Sequence, residues 1–310
     1  MRKRFSSSIS AAVLVVLAAC GQSDPGAGST STPPSVASFP ITIEAPGGPL
    51  TIEEQPAAIV SLSPTATEML FAIGAGEQVE AVDDQSDFPQ GVPTTDLSGF
   101  EPNIEAIVSY GPDLVVLAND IGGVVKGLDK LGVPVLVQPA AATIDDTYAQ
   151  IEQLGVVTGH SDEAIAAVAG MRSEVEQIVA SAPDGAGTTV YHELDDTYYS
   201  VTSDTFIGQV YAMFGVENIA DEAKGAGSGY PQLSSEYIVD RDPSLIVLAD
   251  GECCGQSAVT VSERPGWGDL TAVTSGSVIE VNDDVASRWG PRVVDLMRAV
   301  AEGLQEAGTP

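Results

Sequence analysis

Basic residues and histidine are scarce in this chain of 310 residues. Lys and Arg number 12 against 44 Asp and Glu, which gives a formal net charge of −32, and there are two histidines. Because phosphate groups are bound by clustered Lys and Arg, this balance excludes a nucleic-acid-binding protein and is typical of a solubilising acidic surface. A receptor for bare zinc or manganese is disfavoured too, since such sites need several His and carboxylate ligands.

Sequence motifs of common enzyme classes are also missing. The chain has no Gly-x-Ser-x-Gly elbow, no Gly-x4-Gly-Lys phosphate loop and no His-Glu-x-x-His zinc motif. Carboxylates are so numerous that pairs of them carry no information about glycosidase chemistry. We interpret His160 as a surface residue and His192 as a core residue, with a haem contact as the alternative for His192. The sequence therefore predicts a protein without catalytic activity, resident cofactor or metal.

The N-terminal apolar run is too short to span a bilayer. It covers residues 11–19 after a basic start at residues 2–4, whereas a spanning helix needs about 20 residues. This pattern predicts a signal peptide over residues 1–19. The sequence Leu-Ala-Ala-Cys ending at Cys20 resembles the lipobox of bacterial lipoproteins, which implies a lipid-anchored protein on the outer face of the cell membrane. An ordinary secretory cleavage is the alternative. Residues 20–38, rich in Ser, Thr, Gly and Pro, are expected to be a flexible linker.

The rest of the chain predicts two α/β lobes joined by one long helix. Short apolar strands alternate with helices, which is typical of mostly parallel sheets covered by helices. From Ser161, the expected N-cap, to Ala182, apolar residues recur every three or four positions. We therefore assign an N-terminal lobe to residues 39–160, a connecting helix to 161–182 and a C-terminal lobe to 183–310. The apolar positions of this helix are Ile165, Val168, Met171, Val175 and Ile178.

Apolar spacing and turn residues also predict the individual elements of both lobes. We expect a hairpin and further strands at residues 41–44, 50–53, 59–62, 79–82, 113–118, 134–138, 188–194, 245–249 and 277–281. We expect helices at residues 67–74, 122–131, 143–158, 206–214 and 291–305.

Two segments of the chain resemble each other at a separation of 131 residues. Residues 105–118 and 236–249 have the same residue at eight of fourteen positions. The repeat predicts, in each lobe, a short helix that carries a glutamate, then a proline turn and a buried strand. The equivalent acids Glu105 and Glu236 suit a two-fold symmetric partner, because each lobe can meet one subunit. The alternative is that each glutamate complements its helix dipole.

Five motifs follow one another along the chain from about Phe39 to the C-terminus. They are Ile59-Val-Ser-Leu-Ser-Pro64, Ser86-Asp-Phe-Pro89, the strand after Pro112, Pro231-Gln-Leu-Ser-Ser-Glu236 and Arg288-Trp-Gly-Pro-Arg292. In order and spacing they resemble the periplasmic-binding-protein family for ferric siderophores and cobalamin. The resemblance implies little lobe closure, a metal chelate bound between the lobes, and delivery to the permease dimer of an ABC importer. It also implies permease docking for Glu105 and Glu236, and we expect a monomer.

The resemblance places a cluster before the last helix in the ligand cleft. Arg288, Trp289 and Arg292 stand where the family lines its cleft, and they suit an anionic ligand with a conjugated face. The alternative is that an arginine forms a structural ion pair and that Trp289 belongs to the core. Arg292 also fits a position within the helix proper.

Aromatic residues are the other candidates for ligand contact. Phe88 matches an aromatic cleft position of cobalamin-binding members, and Phe100 and Tyr230 precede the two repeat units at similar points. Tyr198 and Tyr199 offer further stacking or phenolate contacts. For each of them a core position is the alternative.

The bound chelate is predicted to be a ferric siderophore, with cobalamin or haem as alternatives. The segment Asn119-Asp-Ile-Gly122 lacks the tryptophan that cobalamin binders show there, which disfavours cobalamin. A secreted hydrolase and a lipid-anchored sensor without transport are more distant alternatives. A permease and an ATPase encoded beside this chain would argue against the sensor.

The adjacent residues Cys253 and Cys254 are an unusual local feature. Neighbouring Cα atoms lie about 3.8 Å apart across a trans peptide, below the usual disulfide range of about 4.4–6.8 Å. Outside the cytoplasm the pair can nevertheless oxidise. We expect a disulfide between the two, with free thiols in a loop as the alternative.

Overall fold

The computed structural model of the chain describes residues 38–307. The predicted signal peptide, the lipidation site Cys20 and the linker up to residue 37 lie outside the described residues. Within residues 38–307 no helix is both long enough and apolar enough to cross a membrane.

The strands of the described residues form one hairpin and two four-stranded sheets. β1 and β2 pair antiparallel, whereas every pair within the larger sheets is parallel. The sheet orders are β4-β3-β5-β6 and β8-β7-β9-β10, so each sheet places its first strand second. The strands are β1 (Ile41–Ala45), β2 (Gly48–Ile52), β3 (Ile59–Leu62), β4 (Val79–Val82), β5 (Leu114–Leu117), β6 (Val135–Val137), β7 (Thr189–Glu193), β8 (Glu217–Asn218), β9 (Leu245–Leu248) and β10 (Val278–Glu280).

Helices cover both sheets, which confirms the predicted fold class. The α-helices are α1 (Pro64–Ala72), α2 (Ile104–Val108), α3 (Val124–Asp129), α4 (Ile144–Thr158), α5 (Ser161–Ser181), α6 (Phe206–Met213), α7 (Ser235–Arg241), α8 (Gly251–Cys254), α9 (Ala258–Ser262), α10 (Thr271–Ser275), α11 (Asp283–Ser287) and α12 (Val293–Ala307). Short 3₁₀ turns lie at Ala75–Gln78, Ile121–Gly123, Ile219–Glu222 and Ala226–Ser228.

The internal repeat is confirmed as a repeated structural unit. α2 and α7 begin after Asn103 and Ser234, whose side chains accept a hydrogen bond from the backbone of Ala106 and Tyr237 respectively. The strands that follow, β5 and β9, are fully buried and lie beside the first strand of their sheets. A four-residue apolar run buried on both faces is what a central parallel strand requires.

Some predicted helix starts were wrong by a few residues, and local chemistry explains the shifts. α1 begins at Pro64 instead of residue 67, because the Ser63 side chain caps it and proline fits the first helical position. α3 begins after Gly122 and Gly123, both with positive φ, so the predicted helix from residue 122 is shorter.

The long helix α5 is present, but two details of its prediction were wrong. His160 takes the N-cap position, without a side-chain hydrogen bond, and Ser161 is already helical. Ile165 is 58% exposed, whereas the buried face includes Ala164 and Val168. Ile165 follows Ala164 by one residue, which turns its side chain about 100° away from that face.

Contacts on two sides hold α5 between the two sheets. Gly155 of α4 packs against Ala164, in a space that leaves no room for a Cβ atom on Gly155. Arg172 pairs with Asp145 at the start of α4 at 2.9 Å. On the other side, Glu174 pairs with Arg298 of α12. One continuous apolar core includes residues of β3, α5, β9 and α12. The half of the molecule around the first sheet and the half around the second sheet are therefore packed together and not joined by a free hinge.

Candidate ligand-binding site

A cavity of about 410 Å³ lies at the carboxyl ends of the first sheet. Residues after β3, β4, β5 and β6 form one wall, and the segment 284–289 forms another. We call it the strand-end cavity. In open α/β sheets ligands bind beyond the carboxyl ends of parallel strands, so its position suits a small-molecule site.

A chain of buried polar groups lies beneath the strand-end cavity. The Thr67 hydroxyl donates to Ser61 Oγ at 2.9 Å and lies 3.0 Å from Ser86 Oγ. The Ser86 hydroxyl donates in turn to Asp83 Oδ1 at 2.5 Å. Burial raises the pKa of Asp83 above its usual range. These bonds fix the carboxylate that lines the cavity.

Phe100 reaches the strand-end cavity because the preceding residue is a glycine. A Cβ atom on Gly99 would lie 2.8 Å from both Asp83 Oδ2 and the Leu62 carbonyl oxygen, so no larger residue fits there. The loop therefore passes closely over the ends of β3 and β4. Phe100 lines the cavity and, at 72%, is the most exposed of the large apolar side chains among the described residues.

The buried carboxylate of Glu68 on α1 holds both arginines of the predicted ligand cluster. Its Oε1 accepts from Arg288 at 2.9 Å and from Arg292 at 2.6 Å, and its Oε2 accepts from Arg292 Nε at 3.0 Å. Arg288 also pairs with Asp284 at 2.6 Å and with Asp87 at 3.2 Å. The hydrogen bonds that Arg292 donates to Glu68 raise the pKa of Arg292, and burial raises the pKa of Asp284.

These contacts decide how Arg288 can act in the site. It lines the strand-end cavity, yet three carboxylates already pair with its guanidinium group. The structure thus shows the structural ion pair that was the alternative for this arginine, and a ligand role for Arg288 or Arg292 stays a prediction.

Trp289 joins the same segment to α4. Its indole N–H donates to Gln150 Oε1 at 3.0 Å, and its carbonyl oxygen accepts from the Thr147 hydroxyl at 2.9 Å. The side chain is half-buried and lines the strand-end cavity. It is therefore placed to sense a ligand there.

The remaining predicted aromatic residues are dispersed. Phe88 is 42% exposed and stacks beneath Arg292, with the guanidinium carbon 4.3 Å from the ring centroid. Tyr230 and Tyr199 are exposed, whereas Tyr198 stacks on Trp267 at 5.7 Å between ring centroids. The lining of the strand-end cavity includes Phe100, Arg288 and Trp289, but not Phe88, Tyr230 or Arg292.

Sequence reasoning missed a second buried ion pair at the carboxyl end of β7. Glu193 is fully buried and accepts from Arg264 at 2.6 Å and 2.5 Å, and from the Tyr191 hydroxyl at 3.0 Å. Arg264 also lies 4.6 Å from the ring centroid of Trp267. Arg264 and Trp267 lie within four residues of each other in a chain with few cations and two tryptophans. This spacing could have indicated the cluster from the sequence.

Asp250 lies beside this ion pair and is buried without a partner. Within residues 38–307 neither of its carboxylate oxygens has a hydrogen-bond partner. Burial, and then the charge of Glu193, raise the pKa of Asp250 to about 7. One residue beyond the internal repeat, at the same separation of 131, it corresponds to Asn119, which lines the strand-end cavity.

Neither histidine lines the strand-end cavity. His192 is fully buried, its Nδ1 lies 2.7 Å from the Tyr211 hydroxyl, and burial lowers its pKa to about 3. It is a core histidine, as interpreted from the sequence. His160 lies 3.9 Å from Glu163 at the start of α5. Among the described residues no cluster of three or more His, Cys, Asp or Glu could hold a metal ion.

Glu105 and Glu236 are both exposed, and each lies in the first turn of its helix, α2 or α7. In the described part of the chain neither forms an ion pair within 4.0 Å. Both are therefore available to an outside partner, and docking stays a prediction. The sulfur atoms of Cys253 and Cys254 are bonded to each other in α8.

Comparison with known proteins decides the family. A family model described as periplasmic binding protein matches residues 59–285. The chain belongs to this family. It is 30% identical over 278 residues to an uncharacterized ABC transporter substrate-binding lipoprotein, YvrC, of Bacillus subtilis, covering 86% of each chain. The chain is therefore a substrate-binding protein of the ABC import type, and the resemblance stated from the sequence is confirmed.

One further relative and one solved structure are similar to this chain over most of its length. A protein of Halobacterium salinarum named cobalamin-binding protein is 32% identical over 280 residues, covering 86% of this chain and 74% of the relative. The structure of a possible iron-binding (periplasmic solute-binding) protein from Staphylococcus epidermidis superposes with a TM-score of 0.70 at 25% identity. That match covers 81% of this chain and 99% of the other.

Proposed function

We propose that the chain captures cobalamin in the strand-end cavity and passes it to the permease dimer of an ABC importer, without catalysing a reaction. One observation carries the choice of ligand: the cavity presents an exposed aromatic ring but no unpaired cation among its lining residues. Its arginine, Arg288, is paired with Glu68, Asp87 and Asp284. The relative named cobalamin-binding protein supports the same choice.

The charges of the cavity disfavour an anionic chelate. Its charged lining residues are Asp83, Asp284 and Arg288, so acidic groups outnumber basic ones. The propionates of haem and the charges of catecholate or carboxylate siderophores would meet like charge, which disfavours binding. The amide groups around a corrin ring can instead donate hydrogen bonds to carboxylates and carbonyl groups. This ranks cobalamin above the ferric siderophore that the sequence favoured.

Phe100 gives the cavity an apolar contact suited to a broad ring. Exposed aromatic side chains in a cleft are typical of binding surfaces that gain free energy only when a ligand covers them. A corrin macrocycle has a wide face with which such a ring can pack. An uncharged ferric hydroxamate is the second candidate, because it also requires no cationic partner in the cavity.

Equilibrium dialysis of the purified chain against four coloured chelates tests this proposal. The chelates are cyanocobalamin, haem, an uncharged ferric trihydroxamate and an anionic ferric tricatecholate. We expect cyanocobalamin to bind most tightly and the tricatecholate most weakly. Tightest binding of haem or of the tricatecholate would contradict the electrostatic argument. Tightest binding of the trihydroxamate would keep that argument and replace the ligand.

The proposed partners follow from the predicted lipidation site and from two equivalent exposed glutamates. We infer that Cys20 carries the lipid that tethers the protein outside the cell membrane. The linker up to residue 38 then allows the folded body to reach the permease. Glu105 and Glu236 present equivalent carboxylates on α2 and α7, one in each half of the molecule, which suits the two-fold symmetry of a permease dimer.

A further inference from the structure

The disulfide in α8 lies at the carboxyl end of β9 and is accessible from solvent. Cys253 is exposed and Cys254 is half-buried. An exposed disulfide is open to attack by an external thiolate, whereas a buried one is protected by the surrounding structure. Neither chelate binding nor permease docking, as argued above, uses these two residues.

Hydrogen bonds join α8 to the start of α11. The backbone N–H of Glu252 donates to Asp283 Oδ1 at 3.2 Å, and that of Cys253 donates to Asp283 Oδ2 at 2.8 Å. The side chain of Asn282 donates to Glu252 Oε1 at 2.8 Å and accepts from the Val285 backbone at 3.0 Å. The conformation of α8 therefore fixes both carboxylate oxygens of Asp283 and the side chain of Asn282, which caps α11.

The helix α11 carries one wall of the strand-end cavity. Asp284 and Ser287 lie on it, Arg288 follows directly, and all three line the cavity. The five residues of α11 are too few to be stable as an isolated helix. Its position therefore depends on its contacts, of which the two hydrogen bonds to Asp283 come from α8.

We propose that Cys253 and Cys254 form a reversible redox site that controls the order of α11 and thereby the affinity of the strand-end cavity. A thiolate of an external dithiol attacks one sulfur and breaks the Cys253–Cys254 bond, which leaves a mixed disulfide and one cysteine thiolate. The second thiolate of the reductant displaces the other cysteine and closes the disulfide of the reductant. Two electrons thus pass to the protein, and its two sulfurs take up the two protons that the dithiol loses.

Reduction acts on α8, which presents the backbone N–H groups of Glu252 and Cys253 to Asp283. The bond joins adjacent side chains, so it restricts the backbone of only these two residues and of their neighbours. When it opens, the donors of Glu252 and Cys253 are no longer held toward Asp283. Each such hydrogen bond contributes modestly to stability, so their loss loosens α11 locally and leaves the fold intact.

Hydrogen exchange of the free protein tests the coupling without any ligand. The full chain carrying Cys20→Ser is compared before and after treatment with dithiothreitol, and its thiols are counted in denaturant. We expect no thiols before and two after reduction, with amide exchange at residues 284–288 accelerated about tenfold. Two thiols before reduction, or unchanged exchange at these amides, would overturn the proposal.

Two variants separate the redox site from other effects of the reductant. Cys253→Ser with Cys254→Ser should show the fast exchange of the reduced protein and no response to dithiothreitol. Asp283→Asn should accelerate exchange in the oxidised protein and reduce the further effect of reduction. A response to dithiothreitol that persists in the double serine variant would contradict the assignment.

The effect on affinity rests on the proposed function, and its test distinguishes the two. We expect cyanocobalamin to bind about tenfold more weakly to the reduced chain than to the oxidised chain. If cyanocobalamin binds neither form, the proposed ligand fails, while the exchange experiment still decides the redox site. If it binds both forms equally while exchange responds, control of affinity is contradicted.

Discussion

The two sheets share one strand order, yet their carboxyl ends are filled in different ways. At the end of β3 and β4 the structure leaves an open cavity above Asp83, with Phe100 exposed at its edge. At the end of β7 the buried Glu193 is covered by Arg264, which packs against Trp267. The same framework thus supports an open wall in one half and a filled wall in the other.

Each half also contains a buried glutamate that pairs with arginine, but the two pairs join different parts of the chain. Glu68 and Arg288 are 220 residues apart in sequence and connect the first half of the molecule to the segment before α12. Glu193 and Arg264 are 71 residues apart and both lie in the second half. The comparison indicates that Glu68 holds the two halves at a fixed distance, whereas Glu193 stabilises only its own half.

Substitution of the equivalent glutamates Glu105 and Glu236 is expected to have the largest effect. Reversing both exposed acids, with Glu105→Lys and Glu236→Lys, should abolish chelate uptake by cells, because the permease would meet like charge on both sides. Dialysis of the purified variant should show unchanged chelate affinity. Uptake at the normal rate would contradict docking through these residues. Each single variant should take up the chelate at a rate between those of the parent and the double variant.

The next effect concerns the glutamate that joins the halves. Glu68→Gln removes the buried charge that pairs with Arg288 and Arg292, and breaking a buried ion pair costs about 3–5 kcal/mol. We expect the free energy of unfolding in urea to fall by about that amount. Glu193→Gln removes the charge that pairs with one arginine, Arg264, which also donates to Gln256, so its cost should be smaller.

Glu105→Gln is the matched control for these substitutions, because Glu105 is exposed and has no ion pair in the described residues. Its free energy of unfolding should stay within about 0.5 kcal/mol of the parent. If Glu68→Gln were as stable as this control, the halves would not depend on the pair.

The unpaired Asp250 gives the second half a pH dependence of its own. Because its pKa is raised to about 7 in the folded protein, the folded state holds a proton that the unfolded state releases at lower pH. Its contribution therefore lowers stability as pH rises from about 4 to about 7. Asp250→Asn should raise the free energy of unfolding by about 2–4 kcal/mol at pH 8, and by less at pH 5.

An exposed acid on α7, Asp240, provides the control for this experiment. Asp240→Asn should follow the pH profile of the parent chain in urea denaturation. If Asp250→Asn also followed the pH profile of the parent chain, the pKa of Asp250 would not be raised in the folded state.

The smallest expected effect is that of removing the exposed ring of Phe100 from the strand-end cavity. Phe100→Ala should weaken cyanocobalamin binding about tenfold, because it removes the exposed ring of the cavity. Stability should change by no more than about 0.5 kcal/mol, since the side chain is largely in solvent. Leu131→Ala, which also removes an exposed apolar side chain, should change neither quantity. Equal affinity of both variants would contradict a role for Phe100.

Features set by neighbouring residues were predictable from the sequence. Apolar runs such as those of β5 and β9 predict buried strands wherever they occur, and the internal repeat identified α2 and α7 with them. The position of Ile165 was wrong because periodicity alone does not show which side of a helix faces its neighbours. The signals for Ser63 as a cap and Pro64 as the first helical residue were in the sequence but were not used.

Pairings between distant residues were not predictable in the same way. Nothing in the sequence links Glu68 to Arg288, because their contact exists only once two sheets and α5 are in place. The cluster of Arg288, Trp289 and Arg292 was therefore found from the resemblance, but its ion pairs were not. Glu193 and Arg264 were missed for the same reason, although the spacing of Arg264 and Trp267 was visible.

Hydrogen exchange of the protein with and without cyanocobalamin tests most directly whether the chelate binds in the strand-end cavity. We expect the ligand to slow amide exchange after β3, at Ser63 and Thr65, and in the opposite wall, at residues 287–289. Amides on the outer surface of α5 should exchange at the same rate in both samples. Protection confined to α5 or to α12, with none at either wall of the cavity, would contradict this account.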